Sequence, residues 1–254
     1  VGSASPRPRL GAGCSDLHHS QDSRPERGWR NRGAATVRSH PTRGCLVEYG
    51  SRLPGPFAHE LCGPIAPDGA DCPTCARPLM PLLSLDTRDP LLDAREWGLE
   101  RIRLLFCWSC RDERSVFFYR LDPIGVVAGP RRGAPRPLPY ADYPPAFPAA
   151  AARLVPLPDE VQAHLRTLNR NLPSTRAGLE WRQPRHQVGG EPVLLDRWRS
   201  VSCPTCRRRM VFLAAIADDN LDARGFTGQR FAQVLYHVCR SCQTSAPGSS
   251  ANSL

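Results

Sequence analysis

The sequence predicts a mostly β (α+β) protein in which one cysteine-bearing unit occurs twice, and three observations carry that expectation. First, "DCPTCARPLM" from Asp71 and "SCPTCRRRMV" from Ser202 place the same Cys-Pro-Thr-Cys tetrapeptide 131 positions apart, each followed by a Met and an apolar run. Second, the runs beside the cysteines have strand length and are largely apolar, β-branched or aromatic: "LMPLLSL", "RIRLLFC" and "SVFFYRL" in one segment, "MVFLAAIA" and "FAQVLYHVC" in the other. Third, the stretch between them, "GPRRGAPRPLPYADYPPAFPAAAARLVPLP", has prolines too dense for a helix or a central strand and reads as a linker.

Taken in order, residues 1–45 are rich in Arg, Gly, Ser and Pro, with 8 Arg against 3 acids. They bury too little apolar surface to offset ordering and are expected to be a disordered basic tail. Residues 46–128 hold the first cysteine unit, 129–180 the Pro-rich linker and one helix, and 181–243 the second unit. In "PDEVQAHLRTLNRNLP" the residues Val161, Leu165, Leu168 and Leu172 recur at helical spacing, Asp159 can cap the start and Pro173 stops it. Residues 244–254, "TSAPGSSANSL", are expected to be a second disordered tail.

No apolar run approaches the roughly 18 residues of a membrane span, and "VGSASPRPRLGAGCSDLHHS" lacks the apolar core of a signal peptide. The expectation is a cytoplasmic protein without a membrane partner, whose 11 Cys are read as metal-binding or redox-active before disulfide-forming. Eight of them form CxxC pairs: Cys72/Cys75, Cys107/Cys110, Cys203/Cys206 and Cys239/Cys242, with 31 and 32 residues between the inner cysteines of each set. The intervening stretches share "LDAR", at Leu92 to Arg95 and Leu221 to Arg224, and a few small insertions align the whole, the mark of an internal duplication.

Two cysteines separated by two residues can turn both sulfurs toward one point, and two such knuckles complete the tetrahedral four-sulfur shell that zinc prefers. Each segment is therefore predicted to be a zinc-ribbon-like unit, the two together holding a pair of structural zinc ions that replace missing core. The inserts are longer than the usual spacing of about 15–20 residues, so each hairpin must carry extended strands or an ordered loop. A closed four-thiolate site leaves no open position for water, which argues for a non-catalytic role. A dithiol redox protein is an alternative reading of CxxC.

His59 and His186 precede the first CxxC of their segments by 13 and 17 residues. They read as echoes of the duplication with ordinary hydrogen bonds, or else as replacement ligands; His237 reads as a strand residue and Cys14, Cys45 and Cys62 as free thiols. All 34 basic residues are Arg, so a P-loop, Schiff-base or kinase-type lysine is excluded. No G-x-S-x-G, H-E-x-x-H or G-x-G-x-x-G occurs. Around the second unit, Arg197, Trp198, Arg199, Arg207, Arg208 and Arg209 form a basic group that could grip phosphate and stack a base, the basis of an alternative nucleic-acid-binding reading.

"HQVGGEPVLLDRWRSVSCPTCRRRMVFLAAI", His186 to Ile216, resembles the Gly-Gly-x-Pro lead-in, CxxC, Met and apolar strand of programmed cell death protein 2, its relatives and the bacterial YwqG-like family. "RIRLLFCWSCRDERSVFFYRL", Arg101 to Leu121, is similar to the later half of that unit. Gly189, Gly190 and Pro192 match the lead-in as a turn motif, of which the first copy keeps only Gly63 and Pro64. The resemblance implies a duplicated, mostly β domain with zinc-ribbon elements, whose better understood members escort a newly made small-subunit ribosomal protein. The expected function is thus a non-catalytic zinc-binding protein-interaction module, a chaperone or adaptor for a protein client.

Overall fold

Eleven strands make one antiparallel sheet in the computed structural model, which describes residues 38–50, 55–65, 69–107, 117–128, 147–170, 186–194, 200–217 and 232–251. In chain order they are β1 (Cys45–Tyr49), β2 (His59–Gly63), β3 (Met80–Asp86), β4 (Arg101–Phe106), β5 (Phe118–Leu121) and β6 (Ile124–Ala128). After them come β7 (Phe147–Pro156), the helix α1 (Asp159–Arg170), β8 (Gln187–Val188), β9 (Val211–Ala217), β10 (Ala232–Cys239) and β11 (Thr244–Ala251). Across the sheet the order is β4-β3-β2-β7-β1-β8-β9-β10-β11-β5-β6. The described residues all belong to a compact unit that runs from Ala35 onward.

The strands expected beside the cysteines form as β3, β4, β5, β9 and β10. β3 is buried at every residue, and β9 at all but its first, which is why both read as near-continuous apolar runs rather than alternating ones. The sheet curls until Tyr119 of β5 reaches β4, where its hydroxyl donates to the Arg103 carbonyl at 3.0 Å and accepts from the Leu105 amide at 2.9 Å. One continuous core runs through both cysteine segments, from Leu83, Ile102 and Leu104 to Leu213, Ile216 and Tyr236.

The registers repeat. Adding 131 to each β3 position and 132 to each β4 position turns all six β3·β4 pairs, from Met80↔Phe106 to Asp86↔Arg101, into the six β9·β10 pairs, from Val211↔Val238 to Ala217↔Gln233. The bulge repeats as well, since Leu82 and Leu213 are the residues skipped. Glu60↔Ser84 and Leu61↔Leu83 of β2·β3 likewise recur as Gln187↔Ala215 and Val188↔Ala214 of β8·β9. The flanking strands are exchanged. β1, which precedes the first cysteine segment, pairs with β8 of the second, whereas β7, which precedes the second, pairs with β2 of the first.

Three expectations are corrected. Within the supposed linker of 129–180, residues Phe147–Pro156 form a strand between β2 and β1. Its prolines fall at 148 and 156, near the ends, so Ala149 to Val155 keep their amides for the ladder. The supposed tail of 244–254 forms β11 from Thr244 to Ala251, paired with β10 over eight residues. A full-length partner outweighs its low strand propensity, and Pro247 is tolerated because β5 meets β11 only at Thr244 and Ser245. Of the supposed tail of 1–45, Ser39 bridges Phe212 and Cys45 opens β1; positions 1–37 lie outside the described residues, as do 252–254.

The helix forms as expected from Asp159, with Asp159 and Glu160 in the first turn where carboxylates complement its dipole. Its buried residues are Gln162 and Leu165, while Val161 is exposed and Leu172 lies outside the described residues. Gln162 anchors the turn at Gly189 and Gly190: its Oε1 accepts from the Glu191 amide at 2.7 Å. Both glycines adopt φ +62°, and the Gly189 and Gly190 amides donate to Leu213 and Pro41 carbonyls at 2.7 and 2.9 Å. The Gly-Gly motif is therefore a tightly enclosed turn that joins helix, β9 and the residues before β1.

Candidate metal centres

Each Cys-Pro-Thr-Cys tetrapeptide folds into the same knuckle. In the first, the Cys72 amide donates to the Arg77 carbonyl at 2.7 Å, the Ala76 amide to Cys72 at 2.9 Å and the Leu79 amide to Ala70 at 2.8 Å. In the second, Cys203 donates to Arg208 at 2.9 Å, Arg207 to Cys203 at 2.9 Å and Met210 to Val201 at 2.8 Å. Ala76 and Arg207, the residues after each second cysteine, hold the left-handed conformation at φ 57° and 61°. That twist turns the following amide back toward sulfur, and the Arg208 amide and side chain both bond Cys206. The sequence pattern marks the cysteines but carries no sign of these two left-handed residues.

The return hairpin brings the second pair of cysteines to each knuckle. Cys203, Cys206, Cys239 and Cys242 place their four sulfurs within 4.8 Å of one another, with Cys206 Sγ 3.6 Å from Cys239 Sγ. Cys72, Cys75 and Cys107 form a matching group, with Cys75 Sγ 3.5 Å from Cys107 Sγ; Cys110 lies outside the described residues. A zinc ion with sulfur ligands at about 2.3 Å in a tetrahedron needs sulfurs about 3.8 Å apart. The clustered thiols fit that shell, and both groups can hold a metal ion.

Electrostatics prepares the second group unevenly. The Arg208 amide and guanidinium stabilise the Cys206 thiolate and bring its pKa down to about 6, whereas burial pushes Cys239 up to about 12. A divalent cation would have to displace the Cys239 proton, so binding at this site weakens as pH falls. Cys45 and Cys62, expected as free thiols, are buried away from these groups, and burial raises them to about 11 and 12, which makes both unreactive. Cys14 is outside the described residues.

The histidines serve the hairpins rather than the sulfur groups. His59 Nδ1 accepts from the Asp86 amide at 3.1 Å and His186 Nδ1 from the Ala217 amide at 3.2 Å, equivalent positions at the end of β3 and β9. His59 Nε2 then carries the proton and donates to the buried Asp89 carboxylate at 2.9 Å. His237 lies in β10, buried, as a strand residue. Arg207, Arg208 and Arg209 are exposed on the second knuckle, with Arg208 engaged by Cys206; Arg197, Trp198 and Arg199 lie outside the described residues.

A contact that sequence reasoning missed ties the second knuckle to the first segment. Arg240, between Cys239 and Cys242, pairs with Glu96 and lies over the Trp97 ring, 5.8 Å from its centroid. Gln243 donates to the Trp97 carbonyl and accepts from the Leu121 amide at 2.8 Å. The partners are more than 120 residues apart along the chain, too far for any local pattern to announce them. His40 also packs against Trp97, at 5.0 Å between ring centroids.

Burial, then the Arg240 charge, lower the His40 pKa against the opposing influence of Asp93, so the folded chain binds this proton less readily than the unfolded one. The unfolded chain takes up a proton near pH 6.5 more readily than the native state does, so stability falls as pH drops through that value. Between pH 7.5 and 5.5 the wild type is therefore expected to lose more denaturant stability than His40→Phe does. Parallel losses would remove His40 as the cause.

Fold and site together describe a β-sheet protein with two cysteine groups, each of which could hold a metal ion. The chain is 27% identical over 184 residues to YpfL, an uncharacterised protein of Salmonella typhimurium strain LT2. The match covers 72% of this chain and 39% of YpfL, so the chain spans well under half the length of that relative. No family model and no solved structure matches. Among the described residues no helix is long and apolar enough to cross a membrane.

Proposed function

We propose that the protein is a non-catalytic, zinc-stabilised protein-interaction module of the reducing cytoplasm, an adaptor or chaperone for a protein client, built from a duplicated zinc-ribbon-like unit. The observation that carries the reading is the convergence of Cys203, Cys206, Cys239 and Cys242 on one point, repeated by Cys72, Cys75 and Cys107. Thiolates select zinc among the common divalent ions, and four of them saturate it. The ion then supplies folding energy rather than a reactive water. The coincident registers of the two hairpins support the duplication. The likeness of the Gly-Gly-x-Pro and CxxC stretch to the YwqG-like and programmed cell death protein 2 families supports the adaptor role.

Protein purified under reductant is expected to carry close to two zinc ions per chain, one for each cysteine group, by elemental analysis. Well under one ion would end the reading. For the client, affinity capture with and without nuclease separates the alternatives. A discrete protein retained after nuclease supports the adaptor. Recovery of RNA or DNA, with proteins lost after nuclease, moves the function to the exposed Arg207 and Arg209 of the second knuckle.

A further inference from the structure

The repeated registers place an axis in the sheet. Leu46 pairs with Gln187 where Ala151 pairs with Glu60, and Cys45 with Val188 where Ala150 pairs with Leu61, so each β1 position corresponds to the β7 position 105 residues later. β1 and β7 also pair with each other, antiparallel, in the register Cys45↔Pro156 to Tyr49↔Ala152. Glu48 corresponds to Arg153 and is also its partner across the seam. A local two-fold axis therefore passes through this one pair, with β7-β2-β3-β4 on one side and β1-β8-β9-β10 on the other.

We propose that the β1·β7 seam is a junction between two half-molecules, and that Glu48 and Arg153 direct the halves of one chain to join each other rather than the like halves of a second copy. The inference rests on the duplication proposed above. On a two-fold axis between like halves a residue faces itself, so β1 against β1 sets Glu48 opposite Glu48 and β7 against β7 sets Arg153 opposite Arg153. Like charges directly opposite destabilise a strand pair. In the unlike pairing Arg153 donates through Nε at 2.9 Å and through its terminal nitrogen at 2.6 Å to one oxygen of Glu48. Glu48↔Arg153 is the one charged pair among the five registers; the rest, such as Leu46↔Val155 and Val47↔Leu154, carry no charge that would repel a like half. The charge contrast between like and unlike joining thus resides on the axis.

Full-length Glu48→Arg and Arg153→Glu variants test this, each alone, mixed and combined in one chain, in zinc-containing buffer at low salt with light scattering and native mass spectrometry. Each single variant carries like charges on its own seam. Exchange between the two chains restores an unlike pair at both junctions. The mixture, unfolded and refolded together, is expected to form a heterodimer that neither variant forms alone. A pair this exposed contributes at most roughly a fivefold preference per junction, about twenty-five-fold for two, and less at high salt. The double variant should return to the wild-type mass. A mixture that behaves as the sum of its components overturns the proposal, as do single variants indistinguishable from wild type. Should the single variants fail to fold, a wild-type melt in the double variant supports it and an unfolded double variant overturns it. Zinc content in the same samples reports separately on the metal reading.

Discussion

Cys203→Ser is expected to lose one of the two zinc ions proposed for the chain and to unfold the whole sheet in a single transition. Cys203 is completely buried, and its sulfur is packed with Met210, Cys239 and Ala246 in a small core of their own. A structural zinc contributes about 10 kcal/mol or more to folding, which matches or exceeds the ~5–15 kcal/mol net stability of an ordinary domain. From its sequence each cysteine unit looks able to survive the loss of the other. The exchanged strands argue otherwise: β1 gives the second segment its neighbour, β7 gives the first its own, and Arg240 and Gln243 fasten the second knuckle to Trp97. Circular dichroism and elemental analysis on the same sample provide the check. A half-folded variant that melts in two steps would show independent units instead.

Gly190→Ala is the largest expected effect away from the cysteines. A Cβ at this position would collide with Gln162 Oε1 and meet the Gly44 backbone at 2.5 Å, and the residue holds φ +62°. Overpacking and a left-handed backbone together cost about 2–5 kcal/mol. Gly98→Ala is the control, because it shares a positive φ of 67° but has no atom within 4 Å of the new Cβ. Its cost is expected to stay near the conformational penalty alone, about 1–2 kcal/mol. Urea unfolding of both variants with metal in excess measures the difference, and equal losses would show that the enclosure around Gly190 contributes nothing.

The strands beside the cysteines and the helix at Asp159 were legible because their apolar pattern is local. The sulfur groups were legible because the CxxC spacing is itself the chemistry of a knuckle. β7 was not, since a window over Phe147 to Pro158 counts three prolines without noting that Ala149 to Val155 has none. β11 was not, since "TSAPGSSA" becomes a strand only beside β10. Pairing order was the least legible of all: Glu48 and Arg153 are 105 residues apart, and nothing near either one marks the other. The lead-in glycines were visible as a turn, but the closeness of Gln162 and Gly44 that makes them indispensable is a tertiary fact.

The exchange of β1 and β7 also sets a timetable for synthesis. Strand β1 leaves the ribosome before every other described strand, yet Tyr49 must wait for Ala152 and Leu46 for Gln187, more than 100 and 140 residues later. At typical elongation rates that delay is on the order of ten seconds. The first cysteine segment waits too, because β2 lacks its second neighbour until β7 emerges. Folding of this sheet is thus deferred until translation is well into the second segment, and in that interval the nascent chain displays Leu46 and Val47 with no strand to cover them.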